Sequence, residues 1–177
     1  MELVYATDVE ISWIVNELEL SKKRPKSGDF LEGFPWESIR WWKATLEDEE
    51  FENLFFFWDG IAWGKSSHLS YTLKDGVLVF SQISNTPAGL RNVHLDQING
   101  WLEKYRNKTF QNNDTFLILG GLDQNSSLMI LDGNHRAAAA LWWAMECDDR
   151  NHIPSNAWVG LSPEMINYFA YRRKMQS

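Results

Sequence analysis

The chain has 177 residues, 44% hydrophobic and 23% charged, with a formal net charge of −7. That length can bury its own core, so one domain, with or without an extension, is expected. The acidic balance argues against a nucleic-acid partner, which needs an electropositive face, and the single cysteine, Cys147, excludes an intramolecular disulfide and any cysteine-built zinc cluster.

Met1 to Tyr5 carry neither the basic nor the apolar region of a signal peptide. The longest apolar run, around Leu54 to Trp58, is far shorter than a membrane span. A cytoplasmic protein with no membrane partner is expected. Thr7-Asp8-Val9-Glu10 reads as a capping box, and Ile11, Ile14, Val15 and Leu18 keep helical spacing behind it, to about Ser21. Gly28 and Gly33 mark a loop. Pro35 suits the first position of a second helix, on which Ile39, Trp42 and Leu46 would share a face, flanked by Trp36 and Trp41. Phe51 to Trp58 fits a helix or a buried strand. The first 70 residues thus read as a Trp-rich, mostly helical extension. Ten Trp and ten Phe demand much buried area, so Trp36, Trp41 and Trp42 read as core before they read as a docking surface for a protein partner.

The pattern changes near residue 71. Tyr71 to Phe80 reads as a hairpin turning at Lys74-Asp75-Gly76. Leu95, Ile98, Leu102 and Tyr105 define a helix, despite the cost of about 1 kcal/mol for Gly100 relative to Ala. Phe116 to Leu119 and Leu128 to Leu131 read as buried strands. His135 to about Glu146 is an alanine-rich helix, Ala157 to Val159 a short strand, and Ser162-Pro163 the start of a last helix that turns Ile166, Phe169 and Ala170 inward. The expected fold class is α/β: a small mixed sheet flanked by helices over residues 71–177, with the helical extension over residues 1–70.

The chemistry-bearing stretch is Leu131-Asp132-Gly133-Asn134-His135-Arg136. A strand delivers the chain to Asp132, Gly133 permits a tight turn, and Asn134 is a good N-cap. The first-turn amides and the helix dipole then make an anion site. His135 and Arg136 add donors there, and an arginine can fork onto two phosphate oxygens. Asp132 stands beside them as a metal ligand or a base. Taken singly, each residue is better explained as a turn, a cap or a surface group; their combination at a strand-to-helix junction favours phosphate.

This stretch resembles the signature of the ParB/sulfiredoxin superfamily, and the likeness covers roughly Leu78 to Leu161. It implies a ParB/sulfiredoxin-like nucleotide-binding domain in which Gly133, Asn134, His135 and Arg136 hold the phosphates of an ATP, ADP or CTP-class nucleotide, with magnesium at Asp132. The loop is most similar to that of the free serine kinases, which have Asp-Gly-His-His-Arg and would place their aspartate at Asp132. Sulfiredoxins carry a catalytic cysteine where this chain has Asn134, so sulfiredoxin chemistry is not expected. Loop and resemblance together imply binding of a nucleotide or other phosphorylated small molecule, with or without phosphoryl transfer by Asp132. Two other readings compete: a non-enzymatic module that docks a protein through its tryptophans, and a ParB-like nuclease.

Overall fold

The computed structural model describes residues 2–22, 33–56, 71–84, 93–109, 116–148, 150, 153 and 156–168. Its strands are β1 (Glu2–Tyr5), β2 (Arg40–Thr45), β3 (Phe55–Phe56), β4 (Tyr71–Thr72), β5 (Leu117–Gly121), β6 (Met129–Asp132) and β7 (Asn156–Leu161). Its helices are α1 (Asp8–Lys22), α2 (Asp48–Glu52), α3 (Leu73–Ser84), α4 (Val93–Arg106) and α5 (Asn134–Cys147), followed by a 3-10 helix, Pro163–Asn167. Among the described residues the strands form one sheet in the order β1-β2-β7-β5-β6-β3-β4. It is mixed: β3–β6 and β5–β7 are parallel, and the other pairs antiparallel. The α/β class is therefore as expected. No described helix is long and apolar enough to cross a membrane.

Helices cover both faces of the sheet. On one face Leu117, Leu119, Ile130, Ala157 and Val159 pack against Phe51 of α2, Leu73 and Val77 of α3, Ile98 and Leu102 of α4, and Ala137 to Leu141 of α5. On the other, Trp41, Ile118, Met129, Leu131 and Trp158 meet Ile14 and Leu18 of α1, with Met165 and Tyr168. Ala137 to Ala140 are wholly buried. Their small side chains let α5 lie close to the sheet and its neighbours, a packing role beyond helix propensity.

Several expectations are corrected. The segment Arg40–Thr45 is a strand, not a second helix. Trp41 packs on one face of the sheet and Ala44 on the other, while Arg40, Lys43 and Thr45 are exposed, so apolar and polar residues do not alternate with the period that would reveal a strand. Residues 1–70 are not a helical extension: β1, β2 and β3 belong to the same sheet as the motif strand. Phe51 to Phe56 resolve into the end of α2 and then β3. The hairpin over Tyr71–Phe80 is helix α3 instead. Thr72 Oγ1 accepts from Asp75 N at 3.2 Å and donates to Asp75 Oδ2 at 2.7 Å, so Thr72 and Asp75 cap a helix where a Lys-Asp-Gly turn was expected. Leu78–Phe80, the second strand of that expected hairpin and the start of the stretch that resembles the ParB/sulfiredoxin superfamily, thus lies within a helix. Ile166 is 42% exposed, and the inward residues of the last helix are Met165 and Tyr168; Phe169 and Ala170 lie outside the described residues.

The capping box of α1 is present, with Thr7 N donating to Glu10 Oε2 at 2.8 Å and Glu10 N to Thr7 Oγ1 at 3.4 Å. Helix α4 and strands β5, β6 and β7 stand within a few residues of their expected positions. Ser162 caps the closing helix by accepting from Glu164 N at 3.1 Å.

Candidate functional site

Strand β6 is an interior strand, held by β5 on one side and β3 on the other. Its pairing with β5 passes from Leu119–Ile130 to Ile118–Asp132, with a register shift between them. Leu131 is the extra residue, and a bulge of this kind re-aims the residue that follows. Asp132 ends the strand half-buried.

Gly133 comes next with φ +97° and ψ 14°. Only glycine adopts that backbone without strain. Space demands it as well: a Cβ there would meet Leu117 Cδ2 at 2.7 Å and an Arg136 Nη at 2.8 Å. Gly133 is itself the N-cap, and the intrahelical ladder of α5 begins with Ala137 N donating to Gly133 O at 2.8 Å. Asn134, expected as the cap, is the first helical residue. Its Oδ1 is buried and meets no donor among the described residues, a situation that costs about 1–3 kcal/mol unless a donor is supplied.

The amides of Asn134, His135 and Arg136 precede the helical ladder, where the dipole is positive. The first turn of α5 contains no acidic residue, and its N-cap, a glycine, has no side chain to cap it. His135 and Arg136 are half-buried at this end. A guanidinium Nη of Arg136 donates to Phe116 O. The guanidinium carbon also lies 5.8 Å from the centre of the Trp101 ring, on α4. The arginine is thus anchored to the start of β5 and to α4, which orients it at the mouth of α5. Trp101 and Phe116 were not singled out from the sequence. They reach the motif only through the tertiary fold, and nothing local to either residue announces it.

The five motif residues, Asp132 to Arg136, stand together at the end of β6 and the start of α5. A single carboxylate suits magnesium held chiefly by phosphates and water, the usual form of such sites. No group of three or more His, Cys, Asp or Glu side chains able to cage a metal occurs among the described residues. Of the tryptophans weighed as a docking surface, Trp41 is buried. Trp36 packs on Phe34 with ring centres 4.6 Å apart, and Trp42 on Tyr5 at 5.1 Å.

A cleft of about 280 Å³ lies beyond the opposite end of β6, lined by Glu47, Glu49, Glu50, Asn53, Gln124 and Ser126 among others. Glu47 and Glu50 close a capping box on α2. That accounts for both carboxylates as parts of the helix start.

Comparison of the chain with family models, with curated proteins and with solved structures gives no match.

Proposed function

We propose that this chain binds a nucleotide or another phosphorylated small molecule at Gly133 to Arg136, in a domain of ParB/sulfiredoxin type. One observation carries the reading: α5 starts on a positive-φ glycine, which has no side chain to cap it, with no acidic residue in its first turn and with His135 and Arg136 beside it. Such a start offers backbone donors and a favourable dipole to an anion. The order β5, β6, α5, β7 around the motif agrees with the family resemblance; the helical state of Leu78–Phe80 does not. A cytosolic location is part of the same reading, in keeping with the lone cysteine.

In this reading Arg136, oriented by Phe116 O and Trp101, contacts phosphate oxygens. His135 and the first-turn amides share the charge, and Asn134 Oδ1 accepts from a ligand hydroxyl. Asp132 beside a phosphate is unfavourable without compensation. Magnesium, for which Asp132 would be the protein ligand, would supply it, and Asp132 alone would supply it by accepting a proton from a substrate hydroxyl.

Calorimetry with ATP, ADP and CTP, with and without magnesium, tests the binding claim. Arg136→Ala should weaken the nucleotide that binds by about 1.5–3 kcal/mol, the worth of a hydrogen bond to a charged group. Arg136→Lys should recover only part of it, because the planar fork is lost. Equal affinity in all three proteins would reduce the loop to a turn. For the chemistry, Asp132→Asn should abolish any nucleotide-derived product while leaving binding unchanged or tighter. A product formed equally by Asp132→Asn would remove Asp132 from the reaction.

A further inference from the structure

Helices α4 and α5 run parallel. Near the start of α5, Arg136 approaches Trp101; further along both helices, Arg106 lies 6.0 Å from the centre of the Trp143 ring and donates to Glu146 at 3.3 Å. Trp101 is therefore level with Arg136. By that alignment the first six residues of α4, Val93 to Ile98, lie beyond the start of α5, roughly 9 Å at 1.5 Å per residue.

Trp101 is partly buried against the core. Lys104 Nζ lies 3.8 Å from the centre of its ring. The ring is half-buried, with the Lys104 ammonium over it, close to the motif arginine. Among the described residues nothing lies within 4 Å of a Cβ built on neighbouring Gly100. In a chain of net charge −7, Arg136 and Lys104 converge on one aromatic ring.

We infer that the ligand of the α5 site is a nucleotide and that Trp101 is the platform on which its base stacks. The inference rests on the reading of α5 as the anion site and narrows it. A sugar phosphate has no use for an indole face, whereas every nucleobase has one. The 5.8 Å between the Arg136 guanidinium and the Trp101 ring is a span that a ribose bridges between phosphate and base. Lys104 is exposed, and its ammonium ends a flexible stem. When a base takes the ring face, that ammonium turns to the phosphates.

The test is calorimetry on the full chain with ATP and with inorganic tripolyphosphate at equal salt and magnesium. The parent should bind ATP about 5- to 150-fold more tightly than tripolyphosphate, the range expected for one stacked base. Trp101→Leu should remove that advantage and leave tripolyphosphate affinity in place. Trp101→Phe, which keeps a ring beside Arg136, should retain most of it and guards against a folding defect in the leucine variant. Equal affinity of the parent for ATP and tripolyphosphate, or an ATP advantage that survives Trp101→Leu, overturns the platform while the anion site stands. A loss of both ligands in Trp101→Leu that Trp101→Phe restores makes Trp101 a positioning residue for Arg136 and also overturns it. Binding of neither ligand to the parent overturns the anion site, and the platform with it.

Discussion

The starts of α2 and α5 stand at opposite ends of the central strands and solve one physical problem in opposite ways. Each helix leaves its first amides ahead of the hydrogen-bond ladder. Helix α2 answers with its own carboxylates: Glu47 and Glu50 close a capping box, and Asp48 and Glu49 complete an acidic first turn. That start is satisfied from within and repels an anion. Helix α5 has a glycine cap, no acid in its first turn and two nitrogen-bearing side chains beside it. On the proposed reading, the anion is taken by the helix start whose first turn carries no carboxylate. The starts of α1, α3 and the closing helix side with α2, through Thr7 and Glu10, Thr72 and Asp75, and Ser162.

The largest effect should follow from closing the α5 turn. Gly133→Ala places a β-carbon against Leu117 and Arg136 at φ +97°. The left-handed backbone alone costs about 1–2 kcal/mol, and the contacts add to it. Thermal denaturation should show a clear fall in Tm. Gly100→Ala is the control, because Gly100 is helical and a Cβ there meets nothing within 4 Å among the described residues; it should raise stability by up to about 1 kcal/mol. A Gly133→Ala protein as stable as the parent would mean that this turn is not held as described.

The α2 end has a smaller, pH-dependent signature. Glu52, at the end of α2, meets Lys74 at 2.6 Å and also pairs with Arg150. The Lys74 hydrogen bond, followed by the Arg150 bond, holds its carboxyl below the usual carboxylate range against the opposing effect of burial. A carboxyl depressed in the folded state contributes stability above its unfolded pKa of about 4.3. That contribution fades as pH falls through the lower folded value. Glu52→Gln should therefore destabilise the protein at pH 7 and flatten the decline of Tm between pH 5 and pH 3. Parallel Tm curves for the two proteins would show that the pair contributes nothing.

How much of this was legible in the residues differs between the same two regions. The strand-to-helix junction at Asp132 to Arg136 could be read because its signals are local: a short apolar strand, a glycine, and an alanine-rich helix. Even there the cap was misplaced by one residue, since Asn134 is a favourable cap by type while the backbone needed Gly133 at positive φ. Around β2 the reading failed. Ile39, Trp42 and Leu46 happen to sit at helical intervals, yet Arg40–Thr45 is a strand with one buried residue on each face, Trp41 and Ala44. At α3, Asp75-Gly76 looks like a turn, but Thr72 and Asp75 close a cap and the helix runs through the glycine. The neighbours that orient Arg136, Phe116 and Trp101, belong to other elements and only the tertiary fold brings them to it.

The contrast between the two helix starts can be tested by making one resemble the other. Asn134→Asp puts a carboxylate into the first turn of α5, as α2 already has. A negative charge there favours the dipole by about 0.3–1 kcal/mol, so Tm should hold or rise slightly. The same charge occupies the place proposed for the anion. Calorimetric titration of parent and Asn134→Asp with the best-binding nucleotide is the most direct measurement. The account predicts at least a tenfold weaker affinity in the variant, with its stability intact. Unchanged affinity in a folded Asn134→Asp protein would contradict it.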